Sequence, residues 1–328
     1  MEHGEKHMKL SIIIPVYYNE LNLQPLYEDI KKKIIDVISY DYEIVMVDDG
    51  SQDHSWKVML ELAERDDRIR VYRLSRNFGS HAAILCGLTH CTGDCAVIKA
   101  ADLQEPTELI LKMVESWQMG NNVVLAVRAG REESKRQETF ANMYYSLVRK
   151  TALPTMPEHG FDVYLIDRKV IEVLSLLDEK NSALTGQILW SGFRTGYVEY
   201  VRKAREIGTS RWTIKKKIRL VVDTLFSFST LPITMVEIIG TASFIGAAIW
   251  AVVTLIFKLC GHIPVSGWTT LFIFSLFSFG VIMLTLGILG EYLWRSFDAS
   301  RRRPPYIIES DGSVENALND SKGTGNER

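Results

Sequence analysis

Residues 42–51 read YEIVMVDDGS, a mostly apolar run that stops at two aspartates, a glycine and a serine. Apolar, β-branched residues that end abruptly at turn-forming residues are typical of a buried strand. Upstream, residues 10–20 read LSIIIPVYYNE and follow the same pattern, with a predicted strand at 10–16 and polar residues at 17–20. The intervening residues 26–39 have helical spacing. Two such strands joined by a helix predict the start of a parallel β-sheet.

The same alternation of strands and helices continues downstream. Further strands are predicted at 69–74, 95–99 and 122–127, and further helices at 55–65, 80–89 and 106–119. This order is typical of an α/β domain with a mainly parallel sheet. Ligands of such sheets bind beyond the carboxyl ends of the strands. Polar clusters occur at those ends, at 17–20, 48–51 and 102–105 and at Arg128, so we expect the functional site there.

Composition and missing motifs exclude several classes of protein. The chain has 328 residues, a hydrophobic share of 47% and a formal net charge of −2, which excludes a disordered chain and a globally basic nucleic-acid binder. We therefore expect no nucleic-acid partner. The sequence has neither G-x-G-x-x-G after the first strand nor G-x₄-G-K-[ST], which disfavours a dinucleotide dehydrogenase and a P-loop ATPase. Carboxylates and arginines at the strand ends instead suit a nucleoside diphosphate held through a divalent cation.

The four cysteines fit a reducing compartment, because so few thiols in a chain of this length do not make a disulfide scaffold. Cys91 and Cys95 have C-x₃-C spacing beside His90. A zinc site would need more ligands at better spacing, so we interpret these cysteines as ordinary thiols. Residues 1–8 are polar, and the first apolar run is too short for a secretory signal.

Two long runs in the second half of the chain carry no charge. Residues 238–257 read IIGTASFIGAAIWAVVTLIF, and residues 268–290 read WTTLFIFSLFSFGVIMLTLGILG. Each run is long enough to cross roughly 30 Å of hydrocarbon as a helix. The alternative is a pair of buried core helices, but two such runs in series are rare in soluble domains. Because the connector 258–267 is short, we predict a C-terminal two-helix transmembrane hairpin.

The positions of lysine and arginine orient this hairpin. Residues 202–219 are rich in both and residues 295–303 carry four arginines, whereas the connector 258–267 carries Lys258 alone. The positive-inside rule therefore places both flanks and the head on the cytoplasmic side of an inner, or plasma, membrane. Residues 212–227 have apolar side chains at helical spacing and lysines on another face, which predicts a helix in the membrane interface. The alternative is a helix packed on the head.

These patterns divide the chain into four parts. We predict a catalytic head at 9–205, a basic juxtamembrane helix at 206–232, two transmembrane helices at 233–292 and a cytoplasmic tail at 293–328. The tail is polar after about residue 310, so its end is expected to be disordered.

Five motifs, in order along the chain, resemble those of the polyisoprenyl-phosphate glycosyltransferases, membrane-anchored family-two enzymes related to dolichol-phosphate mannose synthase. They are PVYYNE (15–20), VDDGSQD (47–53), LSRNFGSHAA (74–83), ADLQEP (101–106) and LGILGEY (286–292). The resemblance extends over residues 10–308. It implies a GT-A head, which is a Rossmann-like α/β domain. It also implies inverting transfer of one sugar from a nucleotide sugar to a polyisoprenyl phosphate at the cytoplasmic face of the membrane.

The resemblance further implies the partners of the reaction. Likeness to bacterial members favours UDP-glucose or UDP-N-acetylglucosamine as the donor and undecaprenyl phosphate as the acceptor, with Mg²⁺ or Mn²⁺ as cofactor. It also points to a homotetramer. Because two spans per chain offer no obvious transport path, the product would need a separate flippase.

By position, the resemblance assigns roles to three groups of residues. Nucleotide contacts are assigned to Pro15, Tyr17, Glu20, Asp49, Arg76, Ala101, Gln104 and Arg128. Catalytic roles are assigned to Asp102 and Asp162, and Asp102 is also the expected metal ligand. Contacts to the acceptor phosphate are assigned to Arg136, Arg205, Ser210, Arg211 and Lys215.

One position departs from the pattern of the family. The first aspartate of its D-x-D metal motif is Ala100 in this chain. The cation would then be held by Asp102, the two phosphates and water, which Mg²⁺ accepts because it usually keeps several waters. Lys99 could partly replace a missing charge if its side chain faces the site.

A lipid phosphate is already anionic near neutral pH, so we expect Asp162 to orient the sugar or the phosphate more than to act as a general base.

Two other functions remain open at this point. The first is transfer to another lipid or to a growing polysaccharide. Processive synthases of the family usually carry a Q-x-x-R-W element, whereas residues 187–190 read QILW without the arginine. The second is a catalytically inactive membrane scaffold, for which Ala100 is the one support. Failure to bind any nucleotide would favour the scaffold.

Overall fold

An eight-stranded sheet forms the centre of the head. The computed structural model describes residues 8–128, 145–158, 160–177, 179, 182–201, 214–260 and 267–312. The strands are β1 (Lys9–Val16), β2 (Asp41–Asp48), β3 (Ile69–Leu74), β4 (Cys95–Ile98), β5 (Val123–Arg128), β6 (Val163–Asp167), β7 (Thr195–Tyr200) and β8 (Ile308–Asp311). Their order across the sheet is β7-β5-β6-β4-β1-β2-β3-β8.

The sheet is mainly parallel, as predicted. Strands β4, β1, β2 and β3 are mutually parallel neighbours, and β7 runs parallel to β5. Two strands run against this direction: β6 is antiparallel to both β4 and β5, and β8 is antiparallel to β3. The predicted α/β head is therefore confirmed, with two antiparallel insertions that the local sequence pattern does not signal.

Helices cover both faces of the sheet. In the head they are α1 (Glu20–Ile30), which continues as a π-helical turn (Lys31–Ile35), α2 (Ser55–Arg65), α3 (Ser80–His90), α4 (Leu109–Gln118), α5 (Arg168–Leu176) and α6 (Leu184–Trp190). Residues 145–151 are also helical. Ile12 and Ile14 of β1 belong to the core on the face covered by α1, α2 and α4, whereas Ile13 belongs to the core on the face covered by α3, α5 and α6. Because both faces are buried, the strands are continuous apolar runs and not alternating ones.

Two predicted helices have different ends in the structure. The helix predicted at 26–39 begins at Glu20 and ends its regular part at Ile30. The helix predicted to begin at residue 106 begins at Leu109, because Pro106 and the next two residues form the turn that leads into it, with the Leu109 N–H donating to the Pro106 carbonyl. Pro106 has no N–H, which suits this position before the helix.

Glu43 connects three segments at the amino-terminal edge of the sheet, opposite the candidate site. Its side chain is 3% exposed and accepts hydrogen bonds from the Ser11 hydroxyl at 2.6 Å, the Thr92 hydroxyl at 3.0 Å and the Gly93 N–H at 3.2 Å. Burial alone raises the pKa of Glu43, but these hydrogen bonds and the Lys9 ammonium outweigh it and hold the pKa below its ordinary value of 4.5. The ionised form is therefore the one that stabilises the fold.

We expect Glu43→Gln to lower the free energy of unfolding by about 1–3 kcal/mol at pH 7. Because the pKa is lower in the folded than in the unfolded state, this stabilisation is complete above the unfolded pKa and is lost as the pH falls through the folded pKa. In detergent at pH 7, the unfolding temperature of the variant should lie below that of the wild type. This difference should become smaller in acid. Glu61→Gln is the control, because Glu61 is exposed. A difference in unfolding temperature that does not change with pH would contradict this role for the Glu43 charge.

Three helices follow the head. They are α7 (Ile214–Phe228), α8 (Leu231–Leu259) and α9 (Trp268–Ser300). Within α8 and α9, Leu231–Thr254 and Leu271–Ser300 are long and apolar enough to cross a membrane, with mean hydropathies of 1.9 and 2.4. Neither segment is buried against the rest of the chain. Both helices are longer than the predicted runs 238–257 and 268–290.

Arg295 of α9 contacts α7 near the carboxyl end of both helices. Its guanidinium contacts Glu291 at 2.9 Å on the same helix and Asp223 of α7 at 2.8 Å, and it lies 5.3 Å from the centre of the Phe226 ring. These contacts join α7 to α9. At the same end, α7 reaches the head, because a Cβ on Gly186 of α6 would lie only 2.3 Å from the Phe228 ring. The carboxyl end of α7 thus packs on the head as well as on α9.

The segment after α9, within the predicted tail 293–328, returns to the head. Strand β8 pairs with β3, and the Ser75 N–H donates to the Ile307 carbonyl at 2.9 Å. Glu309 of β8 lies 3.5 Å from the Arg73 guanidinium. A four-residue strand of mixed polarity has no local signature, because its stability comes from pairing with an edge distant in sequence. The end predicted to be disordered begins after about residue 310; Asp311 still belongs to β8, and residues 313–328 lie outside the described residues.

Candidate active site

The carboxyl ends of five strands bring the predicted site residues to one edge of the sheet. β4, β1 and β2 are parallel neighbours, so the loops that follow them lie side by side. Because β6 is antiparallel to β4 and β5, its first residue lies at the same edge as their last residues. Asp162 directly precedes β6, Asp102 follows β4 and Arg128 ends β5. The topology therefore collects Asp102, Arg128 and Asp162, as the sequence predicted for a ligand site.

The loop after β1 is bonded to the loop after β2. The Tyr18 N–H donates to the Ser51 hydroxyl and the Asn19 N–H to the Ser55 hydroxyl, both at 2.9 Å. The Glu20 carboxylate accepts from the His54 N–H at 2.7 Å. Tyr18 has a φ of +56°, which is uncommon for a bulky residue and marks a strained turn. These contacts give Glu20 a structural role beside the nucleotide contact that the resemblance implies.

Pro15 and Tyr17 border this loop. Both are half-buried, and the Tyr17 ring lies edge-on to the Tyr18 ring with centroids 4.7 Å apart. Their partly open faces leave them accessible at the sheet edge. Their contacts to a nucleotide base or ribose stay a prediction.

Asp49 holds the loop after β3 against the loop after β2. Its side chain is 3% exposed and accepts from the Phe78 N–H at 2.7 Å and the Gly79 N–H at 2.9 Å. The same loop carries Arg76, which is exposed and whose guanidinium lies 3.9 Å from the centre of the Phe78 ring. Asp49 thus positions the Arg76 loop, and its predicted contact to the base would come in addition.

Gly50 is the point where these two loops touch. Its φ is +72°, and a Cβ there would lie 2.6 Å from the Arg76 carbonyl carbon and 2.8 Å from the Asn77 nitrogen. Both neighbouring atoms belong to the backbone, so no side-chain rotation could make room. Only glycine suits this position.

We expect Gly50→Ala to weaken UDP binding about tenfold or more, because separating the loops costs on the order of 1–3 kcal/mol. Isothermal titration of UDP into the purified protein measures this loss. Gly120→Ala is the matched control, since Gly120 has a φ of +92° but lies on the turn before β5, with Arg194 Nη1 at 3.7 Å as the nearest contact of a Cβ. Equal UDP affinity in the two variants would contradict the role of Gly50.

Asp102 lies in a tight turn after β4. It is half-buried, and its Oδ1 accepts from the Gln104 N–H at 3.3 Å. Leu103 between them has a φ of +58°, a second strained non-glycine residue at this edge. Ala101 is buried at 4% exposure, so its predicted nucleotide contact would be through the backbone. Gln104 is half-buried on the same turn.

The residues present suit a divalent cation only in part. Within the described ranges, no group of three or more His, Cys, Asp or Glu side chains could hold a metal ion. Asp102 supplies one carboxylate, and Ala100 supplies none. Mg²⁺ and Mn²⁺ are commonly held by one or two carboxylates together with substrate phosphates and waters. Asp102 therefore fits such an ion when a nucleoside diphosphate completes the coordination.

Arg128 and Asp162 form an ion pair across β5 and β6. Arg128 Nη2 donates to Asp162 Oδ2, with the side chains 11% and 45% exposed. Burial lowers the pKa of Arg128, but the Asp162 charge and the adjacent Tyr200 hydroxyl outweigh it, so the pKa lies above its ordinary value. Arg128 therefore stays charged at every physiological pH and provides a fixed cation at the sheet edge.

Most of the residues predicted to contact the acceptor phosphate lie outside the described residues. Arg136, Arg205, Ser210 and Arg211 lie outside the described residues, as does the side chain of Lys215 in α7. The connectivity around them is still informative. β7 ends at Tyr200 beside Arg128, and α7 begins at Ile214, so the basic stretch connects the site edge to the helix that precedes the apolar pair.

Sequence reasoning missed several residues that shape this site. Ser51, His54 and Ser55 bond the β1 and β2 loops together, and Tyr200 lies beside Arg128. Ser51 belongs to the polar cluster 48–51 expected at the site, but no role was assigned to it. Tyr200 has no local signal, because it reaches Arg128 only through the pairing of β7 with β5.

Comparisons with known proteins identify the family of the chain. Residues 11–174 match the family model described as glycosyl transferase family 2. The chain is 35% identical over 312 residues to the glycosyltransferase YkcC of Bacillus subtilis, covering 95% of this chain and 96% of that protein. It is also 35% identical over 309 residues to the bactoprenol glucosyl transferase of Shigella phage SfV, covering 93% and 99%. Among solved structures, S. aureus TarS with UDP-GlcNAc covers 67% of each chain at a TM-score of 0.46 and 17% identity, which is too distant to transfer a substrate.

Proposed function

Because the chain belongs to glycosyl transferase family 2, we propose that it transfers one glucose from UDP-glucose to a polyprenyl phosphate, with inversion, at the cytoplasmic face of a membrane. That the chain is a glycosyltransferase follows from the family and from relatives that match nearly its whole length. The observation that carries the proposal is the meeting of Asp102, Arg128 and Asp162 at one sheet edge, from which a basic segment leads to two apolar helices.

Glucose is favoured over N-acetylglucosamine by the names of the relatives. The phage SfV and SfX proteins are bactoprenol glucosyl transferases, 35% and 34% identical to this chain. Those names specify a glucosyl group and a polyprenol. We carry both to this chain, with undecaprenyl phosphate as the acceptor.

The leaving group of the donor is UDP, which gains negative charge as the bond to the sugar breaks. Preplaced cations are the main way in which enzymes stabilise such charge. Arg128 is charged, largely buried and held by Asp162, so it can meet the diphosphate without reorganisation. A bound Mg²⁺ or Mn²⁺ would neutralise the diphosphate further, with Asp102 as its ligand from the protein.

The acceptor needs no general base in this reaction. A lipid phosphate oxygen forms the bond to the anomeric carbon while the bond to the UDP oxygen breaks, and UDP leaves with the electron pair. Attack from the face opposite UDP inverts the configuration. One Asp162 oxygen already accepts from Arg128, so we assign Asp162 to orienting Arg128 and the acceptor.

The membrane part of the proposal rests on α8 and α9. Both present exposed apolar side chains along their length, and Cβ atoms on Gly240, Gly246, Gly280, Gly287 and Gly290 would meet nothing within 4 Å. Such faces suit lipid and close packing against other copies. We propose a multi-pass inner-membrane protein with a cytoplasmic head, assembled as a homotetramer, whose product is moved across the membrane by a separate flippase.

Nucleotide binding and donor choice test this proposal. With purified protein in detergent, Mg²⁺ and a short polyprenyl phosphate, UDP should bind in preference to GDP, and UDP-glucose should be consumed faster than UDP-N-acetylglucosamine. Preference for UDP-N-acetylglucosamine would contradict the choice of glucose. Absence of binding by any nucleotide would contradict the enzyme and favour the membrane scaffold.

A further inference from the structure

Lys99 is a buried cation directly behind the Asp102 turn. It follows β4, and its backbone N–H donates to the Ile13 carbonyl at 2.9 Å, which continues the register with β1. The residue is 1% exposed. Its Nζ donates to the Glu105 carbonyl oxygen at 2.6 Å and lies 3.8 Å from the Glu105 carboxylate. The side chain therefore points into the protein and not toward a bound nucleotide.

Lys99 and Glu105 enclose the turn that carries Asp102. The contact from Lys99 to Glu105 closes a short loop whose members include Ala101, Asp102 and the strained Leu103. Just beyond, the Thr107 hydroxyl donates to Asp29 of α1 at 2.5 Å. Contacts of buried residues thus hold the turn on both sides, through Lys99 before it and Thr107 after it. Strain of this kind persists only when the surrounding contacts determine the conformation.

The exact place of Asp102 matters more in this chain than in one with two carboxylates. Ala100 contributes no second ligand and the Glu105 carboxylate is buried against Lys99, so a displaced Asp102 is not compensated by the second aspartate expected at position 100. Displacement of a reacting or binding group by about 1 Å can cost on the order of 10²-fold in rate.

We propose that Lys99 is a positioning residue for the transfer reaction: by bonding to Glu105 it holds the turn that presents Asp102 to the cation and diphosphate. This inference rests on the proposed function. Lys99 touches neither substrate nor cation in this role and acts through Glu105 and the turn. Removing its ammonium leaves the Glu105 carbonyl without this donor and the buried Glu105 carboxylate without this countercharge, which allows the turn to move.

Lys99→Met tests the proposal in the full-length protein in detergent. We expect kcat for sugar transfer to fall about 10²-fold. The affinity for Mn²⁺ in the presence of UDP, measured by electron paramagnetic resonance, should fall about tenfold, while UDP affinity without Mn²⁺ stays within about twofold. Glu43→Gln is the control, because it removes a buried charge at the opposite edge and should leave Mn²⁺ affinity unchanged.

A double variant separates positioning from neutralisation of a buried charge. Lys99→Met with Glu105→Gln removes both charges and should restore the thermal unfolding temperature but not the Mn²⁺ affinity. Recovery of both in the double variant, or wild-type Mn²⁺ affinity in folded Lys99→Met, would overturn the positioning role. Failure of the wild type to bind UDP at all would instead overturn the proposed function, so the two failures are distinguishable.

Discussion

Asp102→Asn is expected to lower the rate of sugar transfer by about 10²–10³-fold or more while leaving the fold intact. Asp102 is the carboxylate that we propose the turn after β4 offers to the cation, since Ala100 occupies the other expected position and Glu105 is buried against Lys99. An asparagine keeps the oxygen that accepts from the Gln104 N–H, so the turn can retain its shape. What is lost is the negative charge that we propose attracts a divalent cation.

The measurement is kcat with saturating UDP-glucose and Mg²⁺, alongside thermal unfolding. Asp67→Asn is the matched control, because Asp67 is exposed at the opposite edge of the sheet and should change kcat by less than about twofold. If Asp102→Asn keeps more than about a third of the wild-type rate, Asp102 is not the residue on which charge stabilisation depends.

Arg128→Met has the second large expected effect, again about 10²–10³-fold in kcat. The substitution removes the fixed cation that we propose faces the leaving diphosphate. It also separates an ion pair whose arginine is 11% exposed and whose aspartate is 45% exposed. Because Asp162 can be reached by water, we expect a modest stability loss of about 1 kcal/mol. Thermal unfolding and initial rates on the same preparation separate the two effects, and an unchanged kcat would contradict the role of Arg128.

Asp162→Asn is the informative partner of this variant. An amide oxygen can still accept from Arg128, so we expect partial activity. The pH–rate profile should keep the shape of the wild type, since the acceptor phosphate is anionic without help. A profile that loses one limb on substitution would show that Asp162 takes a proton and would contradict its orienting role.

Local patterns predicted the parts of the fold that depend on local chemistry. The strand at 69–74 and the helix at 55–65 have the predicted bounds. In each, the spacing of the apolar residues and the polar residues on either side define where the element begins and ends. The antiparallel strands β6 and β8 could not be predicted this way. Their positions depend on pairing with strands distant in sequence, as in Arg73 with Ser310.

The same distinction applies to the candidate site. Arg128 and Asp162 were expected from the resemblance to known transferases, but the ion pair between them exists only because β6 is inserted beside β5. The positive φ of Leu103 is set by tertiary contacts and has no sequence signal. Lys99 was interpreted as a possible charge in the site, and the structure instead buries it against Glu105.

Mass spectrometry of the lipid product tests the central claim most directly. Purified protein in detergent would be incubated with UDP-glucose, Mg²⁺ and a short polyprenyl phosphate, with Asp102→Asn in parallel. The account predicts polyprenyl phosphate carrying one added hexose in the wild-type reaction and almost none with the variant. Release of UDP without any glycolipid would contradict the lipid acceptor, and equal glycolipid from both proteins would contradict the site at the ends of β4, β5 and β6.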